Sequence, residues 1–202
     1  MPERRSAPAT SRNREPILGV LTQCVRDGAR VLEIAAGTGE HASFFASRLP
    51  VASWQPTDPD ATSRGSIDAW REHGENANVL PALELDVMVE PWPVSEADVV
   101  ICINMVHISP WDATLALVRG AERVLPAGGV LYLYGPYRRH GAHTAPSNAE
   151  FDASLRARDS RWGVRDLEDV VEAAEARSLE LERVVEMPAN NLSVVFRRKP
   201  PP

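Results

Sequence analysis

RVLEIAAGTGEH, residues 30–41, reads as a short apolar strand that breaks into a glycine turn and opens a helix. Val31, Leu32 and Ile34 supply the strand. Ala42, Phe45 and Leu49 continue as a helical stripe that Pro50 ends. A strand–turn–helix unit of this kind belongs to an open α/β sheet, whose ligands bind beyond the carboxyl ends of the strands. Gly37 and Gly39 let the backbone turn sharply and approach a ligand with no Cβ in the way. Glu33 is a carboxylate inside an apolar run, costly unless it is paired or placed at the ligand edge.

The same alternation extends outward from this unit. A loose arm over residues 1–13 precedes EPILGVLTQCVR (15–26), which sets Ile17, Leu18, Leu21 and Val25 on one helical face. VASWQPTD (51–58) reads as a second strand, followed by helical ATSRGSIDAWREHG (61–74), and NVLPALELDV (78–87) contains a short third strand. ADVVICINMVHI (97–108) is apolar throughout its middle, as a central parallel strand covered on both faces would be. Helical DATLALVRGAERVL and strand VLYLYG (130–135) come next, then a helix near 166–176. LELERVVEM and LSVVFRRK, separated by Pro188 to Asn191, form an antiparallel pair. The order predicts one α/β domain over 14–199, an open, mostly parallel sheet with an antiparallel terminal strand and helices on both faces.

The chain has 202 residues, the size of one such domain, and a formal charge of −6, which weighs against a broad nucleic-acid or membrane footprint. No run reaches the roughly 18 apolar residues of a membrane helix. The basic start MPERRSAPATSRN has no apolar stretch behind it and does not read as a secretory signal, so a cytoplasmic location is expected. Cys24 and Cys102 lie in apolar segments and read as buried free thiols.

The ends of the next strands narrow the ligand. Asp58 stands where a carboxylate accepts ribose hydroxyls, and Asp86-Val87 offers an acceptor for an adenine amino group beside an apolar contact. A pyrophosphate cofactor favours a third glycine, but Gly37 and Gly39 are followed by Ala42, and Glu33 and Glu40 are poor company for phosphates. S-adenosylmethionine carries a sulfonium and an ammonium and no phosphate. Acidic neighbours suit it, which favours methyl transfer over hydride transfer.

A methyltransferase aligns a nucleophile with the methyl carbon and removes its proton. Asn104 can orient an amine or water, and His107, titrating near neutrality, is the first candidate base; the competing reading makes His107 a satisfied structural histidine or a pocket wall. Tyr137, in a polar loop after the fifth strand, can stack on or bond to an acceptor, and His143 is the second-choice base. No cysteine completes a metal set with His140 and His143, and no metal is expected. Asn190 and Asn191 read as turn residues, and Asn13 and Arg14 either fold over the cofactor or stay with the loose arm.

The loop matches the first motif of class I methyltransferases, and NREPIL, INMVHISPW, LYGPYRRHGAHTAPSN, FDASLR, WGVRDL and MPANNLSVVFR closely resemble a domain-of-unknown-function family called methyltransferase-like 26. The resemblance covers nearly all of residues 13–198. It implies a Rossmann-like sheet of seven strands, six parallel and one antiparallel, with S-adenosylmethionine at the ends of the first four. It also implies that Glu33, Ala35, Gly37 and Gly39 line the methionine part, with Asp58 on the ribose and Asp86 and Val87 at the adenine. Asn104 and Met105 would lie under the sulfonium. Ala36 stands where the family has serine, which removes one side-chain hydrogen bond.

The expected activity is methyl transfer to oxygen, nitrogen or another nucleophile of a small molecule, by a monomer or homodimer. Protein methylation and cofactor binding without transfer, as a partner or sensor, are the alternatives, with a nucleotide-dependent reductase ranked below them. The string NMVH after the fourth strand lacks the Pro-Pro pair of nucleic-acid amino methyltransferases, so no nucleic-acid substrate is expected.

Overall fold

The apolar runs form the strands β1 (Arg30–Ile34), β2 (Ser53–Pro56), β3 (Val99–Ile103) and β4 (Val130–Pro136). The two-residue strands β5 (Arg138–Arg139) and β6 (Ala142–His143) make a small separate ribbon, and β7 (Leu179–Met187) and β8 (Asn191–Arg198) close the chain. In the computed structural model, which describes residues 3–74 and 76–200, the main sheet runs β2-β1-β3-β4-β8-β7. β2, β1, β3 and β4 are parallel, while β8 is antiparallel to both β4 and β7.

Among the described residues the sheet has six strands, not the expected seven. Residues 78–87 run beside β2 but make only isolated bridges, Trp54 to Val79 and Thr57 to Leu83. Proline explains the interruption: Pro56 in β2 and Pro81 in the facing segment each lack the N–H that a continuous ladder needs. The Gln55 side chain instead donates to the Pro81 carbonyl at 2.7 Å.

The helices are α1 (Pro8–Cys24), α2 (Glu40–Ala46), α3 (Ala61–His73), α4 (Trp111–Val124), α5 (Pro146–Arg158) and α6 (Leu167–Glu175). Side chains alternate across the sheet. Leu32, Val100, Leu131 and Val194 pack with α4 and α6 on one face, and Val31, Val99, Val130 and Val195 pack with α1 and α2 on the other. Trp92 lies against Gly120 of α4, where a Cβ would come within 1.9 Å of its ring.

Two helices differ from expectation. α1 begins at Pro8, so residues 8–13, expected in the loose arm, are helical, and Thr10 and Asn13 are buried. Met1 and Pro2 of that arm lie outside the described residues, as do Pro201 and Pro202. The first half of α1 has no apolar stripe. Tertiary hydrogen bonds hold it: the Ala7 N–H reaches Glu40 Oε2 at 3.3 Å, and Asn13 Oδ1 lies 2.9 Å from His41 Nε2. α5 begins at Pro146, so Ser147 and Asn148, expected in a polar loop, are helical, and Pro146 stands in the first turn, where a missing N–H is harmless.

Candidate functional site

β1 ends in a turn with three left-handed residues, Ala35 (φ 53°), Gly37 (φ 60°) and Gly39 (φ 85°). Alanine is an uncommon choice for that region, and local backbone strain of this kind gathers at ligand sites. Gly39 is sterically required. A Cβ there would lie 2.6 Å from the Ile67 Cα of α3. Gly37 faces open space, its nearest neighbour being the Ala35 carbonyl, 4.0 Å from where a Cβ would be.

Asp58 fastens this turn. Its Oδ2 accepts the Gly37 N–H at 2.9 Å and its Oδ1 accepts the Asp60 N–H at 2.9 Å. Burial raises its pKa, and those two N–H groups oppose the rise. Glu33 is 1 % exposed, and its Oε2 accepts the Trp54 indole N–H at 2.7 Å. Burial pushes its carboxyl up to about 8, against the effect of that bond and with a smaller push from Asp58. Asp86 is exposed and accepts the Met88 N–H at 2.9 Å. The Val87 side chain is buried in the core on the α4 face, while the exposed neighbours Met88 and Val89 offer the open apolar surface beside Asp86.

A cleft of about 560 Å³ opens beyond β3 and β4. Asn104 and His107 form part of its wall, Tyr134 and Pro136 come from the end of β4, and Asn13 and Arg12 come from α1. Ser147, Asn148 and Phe151 of α5 face it, with Pro188, Ala189 and Asn191 from the turn between β7 and β8. Asn104 is left-handed (φ 63°), and its N–H is bonded to the Tyr134 carbonyl at 2.8 Å. Met105 is half-buried and packs on the α4-side core.

His107 is 5 % exposed, and its ring meets Phe151 edge-on at 5.5 Å between centroids. Burial, with a smaller effect of the Arg165 charge, pulls its pKa down to about 4. Its loop is clamped from outside. The Gly163 N–H donates to the His107 carbonyl at 3.0 Å, and Arg165 Nη2 donates to the Ser109 carbonyl at 2.7 Å.

Tyr137 and His143 do not border the cleft. Tyr137 is 1 % exposed in the α4-side core with its hydroxyl unpaired among the described residues, and burial drives its pKa upward. Lying between β4 and β5, it packs into that core, away from the acceptor-binding role expected of it. His143 lies in β6 with its Nε2 3.5 Å from Asp152 Oδ2, tying the ribbon to α5. The residues that sequence reading missed are Arg12 and Phe151. Pro146 followed by Phe151 and Leu155 at helical spacing was the available signal for α5.

This sheet, with helices on both faces, is the fold found in solved S-adenosylmethionine-dependent methyltransferases. An O-methyltransferase family protein from Burkholderia thailandensis shares it with a TM-score of 0.79 at 17% identity, over 96% of this chain and 58% of that one. Human N-acetylserotonin methyltransferase, solved in complex with SAM, gives 0.76 at 13% identity over 95% of this chain and 53% of that one. The YcgJ protein of Bacillus subtilis gives 0.73 at 16% identity over 93% of this chain and 100% of that one. The chain thus spans little more than half the length of the first two. It belongs to the DUF938 family of proteins of unknown function, whose model matches residues 4–198.

Proposed function

We propose that this protein transfers a methyl group from S-adenosylmethionine to a small molecule held in the cleft beside Asn104 and His107. One observation carries the reading: the strained, Asp58-fastened turn after β1 stands at the same sheet edge as a cleft walled by a buried, uncharged histidine. The resemblance to methyltransferase-like 26 supports the same assignment.

The residues fit the cofactor on two grounds. Gly37 leaves the space beside the turn free of any side chain. Glu33 and Asp58 are buried carboxyl groups at the turn, and in its carboxylate form either would favour a cationic ligand over a phosphate. Glu33 and the Ala35–Gly39 turn would hold the methionine end, Asp58 the ribose and Asp86 the adenine, with Asn104 and Met105 near the reactive centre. Bound there, the cofactor supplies an activated methyl group.

The chain's own residues then do three things. Asn104 orients the nucleophile through its carboxamide. His107, neutral at physiological pH, accepts the proton that the nucleophile loses. The first half of α1 and one face of α5 wall the cleft.

Calorimetric titration with S-adenosylmethionine and S-adenosylhomocysteine, with NAD as the control, tests the reading. Micromolar binding of the first two and none of NAD is expected. A folded sample that binds neither overturns it.

A further inference from the structure

The charge of the cleft is one-sided. Among the described residues Arg12 is the one ionised side chain bordering it, because His107 is held neutral, and no carboxylate lines it. Arg12 is exposed and makes no ion pair among the described residues. The other polar wall groups include the carboxamides of Asn13, Asn104, Asn148 and Asn191. An ammonium entering such a cleft would leave water without a counter-charge, whereas a carboxylate would meet a guanidinium whose planar fork matches it.

The walls also have a shape. Phe151 is 39 % exposed, one of the few large apolar side chains in the described residues left open, and Tyr134, Pro136 and Pro188 add flat surfaces. At the inner end, the side-chain position left vacant at Gly135 lies 3.0 Å from His107 Nδ1 and 3.8 Å from Asn104 Oδ1. The His107 ring has no hydrogen-bond partner among the described residues, and the residue is buried apart from the part that faces the cleft. A donor entering from the cleft would satisfy it.

We propose that the cleft takes a small, ring-bearing hydroxy compound with an acidic group. Its hydroxyl is directed at His107 and Asn104, its ring lies against Phe151, and its carboxylate is held by Arg12. The assignment rests on the methyl-transfer reading for its chemistry. In that step the hydroxyl oxygen forms a bond to the methyl carbon, and the methyl–sulfur bond breaks with its electron pair left on sulfur. The hydroxyl proton passes to His107 and from there to water, leaving a methyl ether and S-adenosylhomocysteine.

Three near-isosteric probes test it: para-hydroxyphenylpropanoate, the neutral para-hydroxyphenylethanol and the cationic tyramine. Each is titrated calorimetrically into the full chain, with and without S-adenosylhomocysteine. The propanoate is expected to bind at least about tenfold more tightly than tyramine, with the alcohol between. Arg12→Gln, at an exposed position, should shrink that ratio to roughly threefold or less with an unchanged thermal midpoint. Equal or tighter binding of tyramine, a ratio that survives Arg12→Gln, or binding of none of the probes at millimolar concentration overturns the assignment. The affinity for S-adenosylhomocysteine in the same samples is a separate readout. Its absence sinks the methyl-transfer reading, while the charge ranking of the probes is still obtained without it.

Discussion

Glu33 and His107 stand on opposite sides of neutrality for the same reason, since burial disfavours the charged form of each. With its pKa near 8, Glu33 carries a proton at pH 7 in the free protein. A ligand that brings an ammonium beside it favours the carboxylate, so binding of S-adenosylhomocysteine at pH 7 should release up to about one proton. Calorimetry in phosphate and in Tris, whose ionisation enthalpies differ, reads that number directly. Glu33→Gln should reduce it to near zero. For His107, a pKa near 4 places the acid limb of turnover near pH 4, well below that of a free imidazole. His107→Ala should lower turnover by roughly 10²-fold and leave S-adenosylhomocysteine affinity unchanged. Equal turnover in the two proteins would reduce His107 to a wall of the cleft.

At the scale of elements, the turn between β1 and α2 is stiff because it is tied to others. Ala36 donates to the Thr57 carbonyl at 2.8 Å, Gly37 to Asp58, and Ser66 Oγ donates to the Thr38 carbonyl at 2.7 Å. Gly39→Ala meets both a left-handed backbone and the Ile67 main chain, so destabilisation of at least about 2 kcal/mol is expected from urea unfolding midpoints. A smaller loss would mean that α3 can withdraw from the turn. The reading of these elements from sequence succeeded where periodicity was strong: LELERVVEM was expected as a strand and is β7, and the helix near 166–176 is α6. It failed for the first half of α1, whose polar residues are held by Glu40 and His41 from a different part of the chain.

For the whole molecule, the buried titratable groups set opposing pH slopes. His41 and His107 both have pKa values lowered to about 4, so below the unfolded value of 6.5 the unfolded chain binds protons that the folded one does not. Their neutral burial therefore loses stability as pH falls from 6.5 towards 4. Glu33 acts in the other direction. Its folded pKa of about 8 lies above the unfolded 4.5, so its contribution is present below pH 4.5 and is lost as pH rises through 8. Asp58, also raised by burial, works in the same sense as Glu33. Stability should peak near pH 6.5, falling by up to about 1.4 kcal/mol per net proton and pH unit on the acid side. Thermal midpoints measured from pH 4.5 to 8.5 check this, and a monotonic rise would show that Glu33 is ionised in the folded protein.

The sequence by itself determined the alternation of the main strands with most of the helices, the glycine turn after β1 and the pairing of the last two strands. Each of these comes from local patterns of apolar residues, glycine and proline. It also pointed to Asn104 and His107, because residues just beyond the carboxyl end of a strand stand at the sheet edge. Only the tertiary structure decided that residues 78–87 make bridges and no seventh strand, since that depends on two prolines meeting across the edge. It likewise sent Tyr137 into the core, brought Arg12 and Phe151 to face the cleft, and held both His107 and Glu33 uncharged at neutral pH. Burial and charge at a site are sums over side chains distant in sequence, and no local pattern contains them.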